Sequence, residues 1–375
     1  MRSVKLLGCL TLLLSAGSGG VFAQERELSL NQHPFLTFDV AGHLTADVTL
    51  ADLDGDGDLD VLTANGRHWA EPDFAFLNTG DGRLLEAKPV GERLGASYTI
   101  QAGDVDNDVD IDAVVVRDSL PALVLANDGS AAFSLIGEIP ESSGAARSAR
   151  LIDVDGDANL DLVVVTRRGA DRVYTGDGKG GFGVAADLPG DGRGSTGIDA
   201  ADFDADGDID LVIARRDGAA SVLLKNQGDG NFQAFSLIGS EGDHRKAVFA
   251  DVTGDGRLDV ILISTTGRHL LYVQSEVGQL DIPLQFGELG DDVKAVTAAD
   301  IDADGDIDLI AGADGDNVLY FNEGAGTFVR STLASSANTY GVVAGDMNGD
   351  GAVDLVFANS GAANEVVLAR FSEAD

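Results

Sequence analysis

The stretch Asp52-Leu53-Asp54-Gly55-Asp56-Gly57-Asp58-Leu59-Asp60 decides the fold, because its pattern returns six more times along the chain. The later copies begin at Asp104, Asp153, Asp202, Asp251, Asp300 and Asp346, at intervals of 52, 49, 49, 49, 49 and 46 residues. A fixed period of this size marks a repeat architecture, in which each repeat is one unit that buries its apolar face against its neighbours. Oxygen-bearing side chains at positions 1, 3 and 5 alternate with other residues, and the Asp at position 9 opens a branched apolar run such as Leu162-Val163-Val164-Val165 or Val260-Ile261-Leu262-Ile263. Each copy is therefore a loop feeding a strand that is buried on both faces.

Outward from the loop, every repeat follows one plan. A short strand of small residues precedes it, as in Ile198-Asp199-Ala200-Ala201. After the branched run, a third strand ends in turn chemistry, as in Val222-Leu223-Leu224-Lys225-Asn226-Gln227-Gly228-Asp229-Gly230-Asn231-Phe232. There Asn and Gly are expected to supply the positive φ of a hairpin. A weaker fourth strand follows the Phe. Four antiparallel strands per repeat make a propeller blade and seven blades make a ring. The reading is an all-β, seven-bladed β-propeller with almost no helix. The last repeat stops at Val366-Val367-Leu368-Ala369-Arg370-Phe371, one strand short, while Leu30 to Asp39 near the N-terminus repeats the Asn-turn-Phe pattern. Phe35 to Val40 is thus predicted to complete the last blade and remove an open sheet edge.

The formal charge is −38, and thirty of the 63 acidic residues are Asp inside the seven loops. No basic stripe is present, which argues against a nucleic-acid partner. Residues 1–23 read as a secretory signal peptide: Arg2 and Lys5, an apolar stretch from Leu6 to Leu14, then Val21-Phe22-Ala23 before Gln24. The protein is accordingly expected to be secreted, extracellular or periplasmic, with residues 24–375 forming a single propeller domain. Cys9 is the only cysteine, so the processed chain would have no disulfide. No other stretch approaches membrane-spanning length.

The loops carry the chemistry. Calcium takes six to eight oxygen ligands in flexible geometry, so carboxylates at positions 1, 3, 5 and 9 with a backbone carbonyl at 7 can wrap one ion. An EF-hand is excluded, since it needs its closing Glu at position 12 and flanking helices. The candidate ligand sets are Asp52, Asp54, Asp56, Asp58 and Asp60; Asp104, Asp106, Asp108, Asp110 and Asp112; Asp153, Asp155, Asp157, Asn159 and Asp161; Asp202, Asp204, Asp206, Asp208 and Asp210; Asp251, Thr253, Asp255, Arg257 and Asp259; Asp300, Asp302, Asp304, Asp306 and Asp308; and Asp346, Asn348, Asp350, Ala352 and Asp354. The loops starting at Asp52, Asp202 and Asp300 have Asp at all four ligand positions and Gly at position 6. Those at Asp104 and Asp153 put Val109 and Ala158 where Gly would relieve a left-handed turn, and are expected to be distorted or weak. Polar turns alone would leave up to five carboxylates crowded without a cation.

With these loops in phase, residues 28 to 371 resemble the FG-GAP or VCBS repeats of the integrin α-subunit N-terminal propeller and its secreted microbial relatives; the Phe-Gly and Gly-Ala-Pro signature itself is mostly absent, with Phe182-Gly183 suggestive of it. The resemblance implies calcium in the loop joining the first two strands of each blade, and a ligand on the opposite face of the disc. On that plan, bases including Arg147, Arg167, Arg168, Arg193, Arg216 and Arg245 gather on the ligand face. The residues six before each loop, Ala46, Tyr98, Arg147, Thr196, Arg245, Lys294 and Tyr340, stand at the mouth of the central channel, and Trp69, the only Trp, lies in a loop of the same face. Arg and aromatic residues are frequent recognition groups. The expected role is a calcium-bearing, non-enzymatic module binding a polysaccharide or protein. A secreted polysaccharide-cleaving enzyme and a purely structural surface component are the alternatives, although no catalytic triad or His-Glu-x-x-His pattern appears.

Overall fold

The computed structural model describes residues 3–5, 26–183, 186–190 and 192–373, and no helix occurs among them. The seven sheets are the seven blades, all with antiparallel neighbours. The first strand of a blade is buried at its start and part-buried toward the loop, as in the small-residue strand Ser195–Ala201. The second strand is the branched run and is wholly buried, as in Asp259–Ser264 and Asp354–Asn359. The fourth is largely exposed, as in Phe232–Ser236. Burial thus peaks inside each blade and falls toward the rim.

Strand periodicity distributes the second strand between two cores. In Asp112–Arg117, Ala113 and Val115 pack toward blade one while Val114 and Val116 pack toward blade three. Successive side chains of a strand point to opposite faces, so each blade joins both of its neighbours. Seven apolar clusters result, one per blade pair. The cluster that shuts the ring joins Leu36, Phe38, Val356 and Val366 of blade seven to Val48, Val61 and Phe76 of blade one.

Closure uses the N-terminal strand, though not over the expected span. Arg26–Phe38 pairs with the C-terminal strand Asn364–Glu373 as the outer strand of blade seven, and pairing skips from Gln32 to Thr37. Leu28, Leu30, Leu36 and Phe38 supply the buried contacts. Phe35 bulges outward at 76% exposure and Val40, at 81%, lies beyond the strand. The predicted segment thus misplaced the start by nine residues, because the Leu28/Leu30 alternation precedes the bulge. Ser3–Lys5 pairs outside Arg26–Phe38; the rest of the expected leader lies outside the described residues. In blade three the inner three strands form one sheet, and the rim is joined by the isolated bridges Arg172 to Asp187 and Gly176 to Phe182.

Candidate functional site

Each acidic loop is wound by its own carboxylates. At position 1, Asp52 accepts from the backbone N–H groups of Gly55 and Gly57 at 2.8 and 3.1 Å, and Asp300 accepts from Asp304 and Gly305 at 3.2 and 3.0 Å. At position 5, Asp56 accepts from Asp58 N–H and Asp304 from Asp306 N–H. This winding needs two left-handed residues, at positions 4 and 6. Position 6 includes Val109 at φ 86° and Ala158 at φ 71°; position 4, which the sequence reading passed over, includes Asn107, Ala205 and Ala303 at φ 57° to 63°. The side chains of Asp58 and Asp110 at position 7 face the turn glycines Gly80 and Gly129, and Ala352 is buried.

The winding converges carboxylates. One oxygen each from Asp52, Asp54 and Asp60 lie within 4.8 Å of one another, as do those of Asp104, Asp106 and Asp108, Asp153, Asp155 and Asp161, Asp202, Asp204 and Asp206, and Asp300, Asp302 and Asp304. The loops bearing Val109 and Ala158 thus converge as those at Asp52, Asp202 and Asp300 do. At position 3, Oδ1 of Asp54, Asp106, Asp204 and Asp302, and Oγ1 of Thr253, are buried without any hydrogen-bond partner. Burial, followed by repulsion from Asp304 and Asp300, pushes Asp302 up to about 6; burial and neighbouring carboxylates also raise Asp54 and Asp106. Orphaned, crowded anionic oxygens facing one point are a donor set that fits a hard cation such as calcium. Basic side chains also reach two of the loops: Arg257 puts its guanidinium on Asp255 and donates to Gln274 O at 2.7 Å, and Lys225, from the third strand, reaches Asp204 Oδ2 at 3.1 Å. In the seventh loop, Asn348 Oδ1 accepts from Asp350 N–H.

Position 9 has a second task that the spacing did not reveal. Asp60, Asp112, Asp161, Asp210, Asp259, Asp308 and Asp354 are all buried, and each binds at least two backbone N–H groups, one at position 2 of its loop and one in or just after the third strand. Burial raises these acids, to about 7 at Asp308 and about 6 at Asp60, Asp112, Asp210 and Asp354. In five blades that third-strand residue is a buried amide: Asn78, Asn127, Asn226, Gln274 or Asn322. These residues do not supply positive φ, as had been expected; the glycines after them do. Each amide instead donates to the position 8 carbonyl of its own loop and to the position 2 carbonyl of the preceding blade's loop. Asn127 reaches Leu53 O at 2.8 Å, Asn322 reaches Val252 O at 2.8 Å, and Asn78 crosses the closure seam to Met347 O at 2.8 Å.

On the opposite face, cations stack on tyrosines across blade boundaries. The Arg67 guanidinium lies 3.6 Å from the centre of the Tyr340 ring, with the Lys294 amine 5.2 Å from the same ring. Arg147 lies 4.2 Å over Tyr98, whose hydroxyl meets a His68 ring nitrogen at 2.9 Å. Arg245 is half-buried with an unpartnered Nε, and burial and then Arg216 lower its affinity for the proton. Trp69 stands 69% exposed. The structure therefore gathers Tyr98 with Arg147, and Tyr340 with Lys294. It also adds acids that the sequence reading omitted: Asp118 is 3.4 Å from Arg147 and Asp292 is 3.2 Å from Lys294. Arg117 and Arg215 do not join this face; they are buried within the blades.

With ring, loops and faces in place, the class is plain: this is a seven-bladed propeller built of acidic-loop repeats. The FG-GAP-like repeat model matches residues 52–115, 153–213, 202–262, 251–311 and 300–357, more than half of the chain and all seven loops, and the protein belongs to that family. No curated protein matches it. Solved structures share the fold. A lectin from Agrocybe aegerita, described as recognising non-reducing terminal N-acetylglucosamine, is 20% identical with TM-score 0.58, over 84% of this chain and 86% of its own. The BP39L lectin from Burkholderia pseudomallei is 15% identical with TM-score 0.64, over 89% and 98%. BBS1N, solved in complex with ARL6DN, is 16% identical with TM-score 0.63, over 90% and 96%.

Proposed function

We propose that this protein is a secreted, calcium-stapled propeller that acts as a non-enzymatic binding module for a polysaccharide or protein on the face opposite its acidic loops. The observation that carries the reading is the pair of cation and tyrosine stacks at the channel mouth, Arg67 on Tyr340 and Arg147 on Tyr98. Such stacks present a flat ring edge, a charge and hydrogen-bond donors together, a combination suited to sugars and to protein hot spots. The likeness to two lectin propellers agrees with a binding role. Calcium's part is support: carboxylates such as Asp52, Asp54 and Asp60 hold it, and it neutralises loops that burial and mutual repulsion otherwise oppose. The test is incubation of the calcium-loaded protein with a panel of acidic and neutral polysaccharides, reading retention and chain cleavage together. Retention without cleavage, lost in Arg147→Ala/Tyr340→Ala, is the expected result. Cleavage would establish an enzyme instead.

A further inference from the structure

We propose that a cleft between blades three and four binds an acidic sugar unit, with Arg168 and Arg193 receiving its carboxylate or sulfate; the inference rests on reading the protein as a polysaccharide-binding module. The cleft is about 870 Å³ and is lined by Arg167, Arg168, Arg193, Arg216 and a run of glycines. That volume lies within the usual range for small-molecule sites.

Its charges are unequally spent. Asp187 is bound by Arg172 at 2.8 Å, Asp217 by Arg167 at 3.3 Å and by Arg216 at 3.5 Å, and Asp171 by the Ser195 hydroxyl at 2.7 Å with Arg215 at 3.9 Å. Every acid among the described residues lining the cleft is thus occupied. Arg168 and Arg193 are exposed and have no acidic partner among the described residues, although the chain carries a formal charge of −38. They sit directly opposite one another on an antiparallel bridge. Like charges at opposed positions destabilise a strand pair, and a shared anion removes that cost.

The wall that holds Arg193 is fixed rather than loose. A Cβ on Gly192 would lie 2.5 Å from Gly169 O, and one on Gly194 would lie 2.4 Å from Arg216 O. Both residues have positive φ, at 61° and 68°, so only glycine allows this close approach. Gly194 N–H also donates to Arg167 O at 3.1 Å, and Arg216 N–H to Gly194 O at 2.9 Å. The two guanidiniums are therefore presented from a preformed backbone, while the glycines leave room for a sugar ring and peptide groups for its hydroxyls.

The test is affinity for immobilised polygalacturonate and dextran sulfate, with uncharged dextran beside them, at physiological salt and millimolar calcium. The wild-type chain is expected to bind at least one acidic polymer and to ignore dextran. Arg168→Ala/Arg193→Ala should lose at least tenfold in affinity without a fall in melting temperature, and Arg168→Gln/Arg193→Gln should behave alike. Lys179→Ala/Arg370→Ala removes two exposed charges elsewhere and should stay within twofold of wild type. Undiminished binding by the cleft variants, or an equal loss in the Lys179/Arg370 control, would overturn the proposal. Loss confined to Arg147→Ala/Tyr340→Ala would also overturn it, yet leave the channel-mouth reading standing. Binding of neither acidic polymer would overturn it too, with the broader reading then decided by neutral glycans and protein partners.

Discussion

Asn322→Ala probes how neighbouring blades are held in register. The Asn322 side chain is 2% exposed and makes three hydrogen bonds: to Val252 O in blade five at 2.8 Å, to Ile307 O in its own loop at 3.1 Å, and from Gly324 N–H at 3.1 Å. A buried hydrogen bond contributes about 1 kcal/mol net, and a buried group left without a partner costs about 1–3 kcal/mol. Val252 O keeps a second donor, Gly326 N–H at 2.8 Å, so its loss is cushioned. Ile307 O and Gly324 N–H lose the Asn322 partner. The expected destabilisation is therefore about 2–4 kcal/mol. Urea unfolding of the calcium-loaded protein, followed by circular dichroism, measures it as a lower midpoint at unchanged slope. Asn231→Ala, at an exposed turn position one residue before the fourth strand, is the control and should change stability by less than about 0.5 kcal/mol. If the two substitutions are equally mild, the amide ties do not hold the blades and the reasoning fails.

Chelation should lower the thermal midpoint, since each filled loop stabilises by about 2.7 kcal/mol at a hundredfold excess of calcium over its dissociation constant; an unmoved midpoint in EDTA would remove calcium from the account. Asp302→Asn should have opposite effects in the two states. It relieves repulsion from Asp304 and Asp300 without calcium, raising that midpoint, and shrinks the shift on adding calcium. His269 is fully buried, accepts from Ser264 N–H through Nδ1, and meets the Tyr320 hydroxyl at 2.9 Å through Nε2. Burial holds it down to about 4 against the usual 6.5, so its contribution is complete above 6.5 and is lost as pH falls toward 4, about 3 kcal/mol in all. Stability of His269→Gln in saturating calcium should fall less steeply over that window, and parallel slopes would refute this. Removing residues 1–38 should expose the outer edge of Asn364–Glu373 and destabilise the whole ring; an unchanged melting temperature would deny the closing strand its role.

Much of this was legible because the period is strict. Loop spacing and the branched runs located the second strand of every blade, from Asp60–Ala64 to Asp354–Asn359. Alternation along a tight loop puts positions 1 and 3 on one side, where they converge with position 5 in the loops at Asp104, Asp202 and Asp300 and with position 9 in those at Asp52 and Asp153. What escaped were long-range bonds. Asn78, Asn127, Asn226 and Asn322 read as turn residues, for their partners lie as many as 269 residues away and in a different repeat. The dual bonding of Asp60 and its counterparts was hidden likewise, since a buried Asp looks the same in sequence whether it serves a cation or two backbone amides. The N-terminal strand was foreseen but mis-set, because the bulge between Gln32 and Thr37 breaks the alternation that would have fixed its register.

The pairing of Arg26 with Glu373 has a consequence for the order of events in assembly. Inner blades can form from neighbouring segments as the chain lengthens, since their contacts are local on the scale of one repeat. Blade seven cannot, because it pairs Arg26–Phe38 with Asn364–Glu373, strands at opposite ends of the ring's sequence. Until blade seven is in place, blade one presents Val61 and Phe76 on an uncovered flank. The slowest productive step should then be the meeting of the two ends, an encounter whose entropic cost grows only slowly with chain length but which nothing earlier can replace. An incomplete ring offers both a bare flank and a free strand edge, and two such chains could trade closing strands. Dimers exchanged at Arg26–Phe38 are accordingly the misassembled form to look for when the protein is refolded at high concentration.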